Sequence, residues 1–85
     1  MSKMIPSAER IQRAHLLIQK AYELPIPIQG GKYDLSYIAQ VKDTLRQAID
    51  LVKFIPDTPT ATPEMKADVQ KIYDEAKRAN QELLH

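Results

Sequence analysis

The stretch LSYIAQVKDTLRQAIDLVKFI, residues 35–55, decides the fold. Ile38, Val41, Leu45, Ala48, Val52 and Ile55 recur in it at spacings of three, four, three, four and three. An α-helix turns once in about 3.6 residues, so this spacing gathers the six apolar side chains on one face. A heptad-like stripe of this kind suits helices packed about 20° from parallel. Asp34 stands where an N-cap belongs, with a carboxylate that can accept from a free N–H of the first turn. Pro56, which lacks an N–H, is expected to end the helix.

Beyond Pro56 the chain reads PDTPTATP, a polar connector stiffened by proline. Thr62 is a cap residue, Pro63 fits the first helical position and Glu64 favours the positive end of a helix. Met65, Val69, Ile72, Ala76, Ala79 and Leu83 then repeat at four, three, four, three and four. On the outer face Lys71–Glu75 and Asp74–Arg78 have the four-residue spacing of helix ion pairs, worth about 0.2–0.5 kcal/mol each.

Before Asp34 lies the segment LPIPIQGGKYD, residues 24–34. Its prolines and glycines exclude a continuing helix, and its prolines deny it a strand's hydrogen bonds. Upstream of it Ile11, Ala14, Ile18 and Ala21 form the face of another helix. Ser7 is the expected N-cap, and Pro25 stops the helix because the residue before proline avoids helical angles. The sequence thus predicts an all-α fold: a three-helix antiparallel, up-down-up bundle with helices at about 8–23, 35–55 and 63–83, forming one domain over 1–85. Ala14, Ala21, Ala48, Ala76 and Ala79 would let the helices approach closely.

Predicted lengths leave a mismatch. Helices of about 21 residues span about 31 Å, and one of about 16 residues spans about 24 Å. The shorter first helix predicts a gap at the pole where residues 24–34 sit beside Leu83 and Leu84. Ile26 and Ile28 are expected to fill it as a lid, each contributing about 1.5–3 kcal/mol. The competing expectation is an exposed Pro-Ile-Pro-Ile epitope presented to a partner groove.

Leu16 and Phe54 lie opposite their helices' stripes. Met4 and Ile5 would cover Phe54, or else Leu16 or Phe54 marks a contact surface. Tyr22, Tyr33, Tyr37 and Tyr73 are spread along the chain, and tyrosine is enriched at interfaces. Tyr37 and Tyr73 flank their stripes, where a ring can be buried with its hydroxyl wet. The expected partner-binding residues are Leu16, Ile26, Ile28, Tyr33 and Tyr37. An alternative is weak nucleic-acid binding through Arg10, Arg13 and Lys20, aided by Lys3 and Lys32. Glu9 and Glu23 interrupt that stripe, and no tight turn of a helix-turn-helix is present.

Composition narrows the rest. A net charge of +1 from 12 basic and 11 acidic residues creates no global field for nucleic acid or anionic lipid. No cysteine is present, so thiolate zinc sites and disulfides are excluded. His15 sits at the edge of its stripe. Histidine phosphotransfer domains place lysine three residues after their histidine and glycine next; Ile18 and Gln19 stand there, so the chain does not resemble them. His85 is expected to fray. His15 has no carboxylate three or four residues away and His85 is terminal, so the two histidines make no metal pattern. Gly30-Gly31-Lys32 lacks the spacing of a phosphate loop, and Tyr33 replaces its Ser or Thr. No cofactor and no catalytic constellation is expected. The opening MSKMIPSAER lacks the apolar run of a secretory leader, and no stretch approaches the roughly 20 apolar residues of a membrane span. The reading is a cytoplasmic, non-catalytic helical module that contacts another protein, as an accessory subunit, adaptor, or inhibitor or immunity-type protein. Its stripes also suit a six-helix homodimer.

Overall fold

A computed structural model describes residues 6–84 of the chain, without the side chain of Lys32. The expectations placed on Lys3, Met4, Ile5, His85 and the Lys32 side chain lie outside the described residues. Helix α1 spans Ser7–Glu23, α2 spans Leu35–Val52 and α3 spans Pro63–Leu84. Two 3-10 turns, Gly31–Tyr33 and Ile55–Asp57, precede and follow α2. Each helix packs against both others, as the up-down-up bundle requires. No strand occurs among the described residues.

The predicted stripes form the core. Ile11, Ala14, Ile18 and Ala21 of α1 meet Val41, Leu45, Ala48 and Val52 of α2 and Val69, Ile72, Ala76 and Ala79 of α3. The alanines are almost wholly enclosed, and larger side chains fill the space between the backbones they bring together. All buried side chains among the described residues are apolar or, for Tyr37, aromatic.

Local signals decide where the helices begin. Asp34 Oδ1 accepts from Tyr37 N–H at 3.0 Å, and Thr62 Oγ1 accepts from Met65 N–H at 3.1 Å. Both caps are as the sequence predicts. Ser7 is different: it is the first residue of α1, Pro6 holds the cap position, and no side-chain cap forms. Proline's φ of −57° already suits the entry, and the Pro6 carbonyl accepts from Arg10 N–H at 3.0 Å.

Helix α2 ends three residues earlier than Ile55. Its last α-type bond joins Lys53 N–H to the Ile49 carbonyl at 2.9 Å. The residue before Pro56 resists α geometry, so the chain tightens into the second 3-10 turn, closed by Asp57 N–H to the Phe54 carbonyl at 3.1 Å. This shortening removes the predicted length mismatch between the first two helices. Helices α1 and α2 have 17 and 18 residues, or about 26 and 27 Å. Helix α3, with 22 residues, is the long one. Both 3-10 turns pack against it and match its excess length.

The pole beside residues 24–34 is therefore closed without Ile26 or Ile28. Leu24, Leu83 and Leu84 are half-buried against the core, and the first 3-10 turn packs on α2 and α3. The lid expectation is corrected: both isoleucines face solvent. Among the described residues no helix is long and apolar enough to cross a membrane.

Candidate interaction surface

Leu24 ends α1 in an extended conformation, with its N–H directed to the Ala21 carbonyl at 3.4 Å. Pro25 and Pro27 fix their own φ and keep the residues before them, Leu24 and Ile26, out of helical geometry. Gly30 and Gly31 then adopt φ of 82° and 53°. That left-handed region is disfavoured for residues with a Cβ, and a Cβ on Gly30 would also press to 3.4 Å from Asp34 Cβ. The reversal feeds the 3-10 turn, where Tyr33 N–H bonds the Gly30 carbonyl at 3.0 Å and Asp34 N–H the Gly31 carbonyl at 3.2 Å. Asp34 then caps α2. The bonds at Gly30 and Gly31 close this turn, and Asp34 joins it to α2.

This framework presents apolar side chains to water. Ile26 is 61% exposed, Ile28 103%, Tyr33 74% and Leu35 82%. Leu35 was not predicted, although the helical wheel contains the signal. At 100° per residue it points roughly 110° from the centre of the α2 stripe. Tyr37 is corrected in the opposite sense: it is 2% exposed and belongs to the core, so it has no surface to offer a partner. Ile38, predicted for the core, is half-buried.

Leu16, 57% exposed, is not part of the connector patch. It lines a groove between α1 and α2 with Arg13, Leu17, Lys20 and Leu51. Phe54 is exposed beyond the other end of α2, with the Lys53 ammonium 5.1 Å from its ring centroid. The sequence-predicted surface thus separates into a connector patch of Ile26, Ile28 and Tyr33 and a groove holding Leu16.

The polar residues form local links. His15 Nδ1 lies 3.0 Å from Glu75 Oε2, and the Tyr22 hydroxyl donates to Glu82 Oε2 at 2.6 Å. Glu75 thus turns to α1 instead of Lys71, and Asp74 accepts from Gln70 at 3.2 Å rather than pairing with Arg78. The bond to Glu82 is the main cause that raises the Tyr22 phenol above its ordinary value; partial burial and the nearby carboxylate charge add to it. Of the predicted nucleic-acid residues, Arg10 donates to the Leu51 carbonyl at 3.5 Å and Arg13 pairs with Glu9 at 3.0 Å. The first bond satisfies a carbonyl in the last turn of α2. Among the described residues no three His, Asp or Glu side chains are grouped to hold a metal ion.

The chain matches no protein-family model, no curated protein and no solved structure.

Proposed function

We propose that this chain is a non-catalytic helical module that binds another protein through the connector patch of Ile26, Ile28, Tyr33 and Leu35. One observation carries this reading: these large apolar side chains stand in water on a segment held by prolines, positive-φ glycines and a helix cap. Exposed apolar side chains clustered on one short segment mark interaction sites more often than scattered ones do. Prolines restrict the connector's conformations before binding, which lowers the entropy lost on binding and favours affinity. The reading fits an accessory subunit, an adaptor, or an inhibitor or immunity-type protein working in the cytoplasm.

The nucleic-acid alternative draws less support, because Arg10 is directed to the Leu51 carbonyl, Glu9 offsets the charge of Arg13, and a net charge of +1 creates no field for phosphates. A salt titration against DNA and RNA fragments tests it; binding at low salt that weakens steeply with salt would favour it.

The direct test is affinity capture from the native host extract with the unaltered chain and with Ile26→Asp plus Ile28→Asp. Circular dichroism first establishes that the two fold alike. A protein retained by the unaltered chain and lost from the double variant is the expected result. Equal retention by both would remove the connector from the interface.

A further inference from the structure

A second surface stands apart from the connector. Leu17 and Leu51 are half-buried and floor the groove between α1 and α2, and Leu16 rises beside them from α1. This face is the side of the α1–α2 pair on which α1 carries its cations. Arg13 and Lys20 both line it. They are seven residues apart, so they share a helix face about 10.5 Å apart along the axis, with the leucines between them.

The charges around the groove are unequal on its two sides. On the α2 side Asp50 is paired with Lys53 at 3.1 Å, which leaves that rim balanced. On the α1 side Arg13 shares its charge with Glu9 at 3.0 Å, and Lys20 has no ion-pair partner among the described residues. Glu9 and Glu23 are not among the side chains that line the groove, whose charged members beside the leucines are Arg13 and Lys20, so the α1 rim presents cations next to an apolar floor. A basic occupant would face repulsion there, and a purely apolar one would bury Lys20 without a partner, at a desolvation cost. The fit is to a helix with an apolar stripe at i, i+3 or i+4 and i+7, flanked on one side by carboxylates.

We propose that the α1–α2 groove binds an acidic amphipathic helix of a partner protein, with Leu16, Leu17 and Leu51 taking its apolar stripe and Arg13 and Lys20 its carboxylates. Bound there, the partner would become the fourth helix of a bundle. The site shares no residue with the connector patch, so it stands or falls independently of that patch.

The test uses the full chain, isotopically labelled, titrated with two synthetic helical peptides that share one leucine stripe. One peptide carries glutamates beside the stripe and the other lysines. The expected result is saturable chemical-shift changes at Leu16, Leu17 and Leu51 with the glutamate peptide and at least tenfold weaker binding of the lysine peptide. Arg13→Glu plus Lys20→Glu, both at exposed positions, should reverse that preference, and Leu16→Asp should abolish binding while the spectrum stays folded. Equal binding of both peptides, no shifts at millimolar peptide, or shifts confined to the connector would overturn the proposal. So would a homodimer in sedimentation equilibrium that Leu16→Asp dissociates, since the groove would then receive a second copy, or an oligonucleotide that shifts the same residues.

Discussion

Tyr22 and Glu82 are joined across α1 and α3 by a hydrogen bond of 2.6 Å, and the His15–Glu75 contact of 3.0 Å lies seven residues earlier on both helices. Equal steps along both chains mean that α1 and α3 run parallel and in register. Seven residues are two turns, so both links fall on the same seam. The bundle topology is thus visible in side-chain chemistry as well as in backbone path.

The Tyr22 phenol should ionise above its ordinary value of 10.0, because the neutral hydroxyl donates to Glu82 and the phenolate would face a carboxylate. The sign of the stability effect follows from this. A folded-state value above the unfolded one stabilises the protonated fold. That contribution is complete below the unfolded value and vanishes as pH rises through the folded one. The phenolate absorbance of the unaltered chain minus that of Tyr22→Phe should titrate above 10.0, and Glu82→Ala should move the midpoint back. A difference titration at or below the ordinary value would contradict the bond.

Two helix caps should be separable from a false one. Asp34→Ala and Thr62→Ala should each cost about 1 kcal/mol, lowering the melting temperature by about 4–8 °C for a domain of this size. Ser7→Ala should stay within about 0.5 kcal/mol, since its side chain caps nothing. Gly30→Ala should cost about 1–2 kcal/mol from its left-handed backbone. Thermal melts followed by circular dichroism check all four.

Close packing at the alanines predicts opposite faults. Ala48 is fully enclosed, so Ala48→Leu should overpack the α2 face and cost about 1–3 kcal/mol. Ile72 is equally enclosed on α3, and Ile72→Ala should leave a cavity and cost about 2–5 kcal/mol. Urea unfolding measures both. Near-zero effects would mean that the helices do not meet at these residues.

The stripes, two caps and the helix order were legible because they depend on local periodicity and on side chains adjacent in sequence. The pole of the bundle was not. On the wheel Tyr37 and Ile38 lie at roughly equal angles, about 50° either side of the α2 stripe's centre. Periodicity could not choose between them, and the structure buries Tyr37. The lid expectation rested on a helix drawn through to Ile55. Pro56 acts one turn upstream, and the turn that replaces the helix packs against α3. That error of three residues created the predicted mismatch with α2, and beside the longer α3 it is the 3-10 turns, not the isoleucines, that pack. The separation of Leu16 from the connector depends on tertiary placement, which spacing along the chain does not encode. The cross-helix links of His15 and Tyr22 pair residues 60 apart in sequence and were invisible for the same reason.

Whether the connector's isoleucines belong to the core or to the surface is tested most directly by urea unfolding of Ile26→Ala plus Ile28→Ala. With Ile26 61% and Ile28 103% exposed, the double variant should unfold within about 0.5 kcal/mol of the unaltered chain. A loss of about 2–5 kcal/mol would return both side chains to the core and leave the proposed contact surface without its central residues.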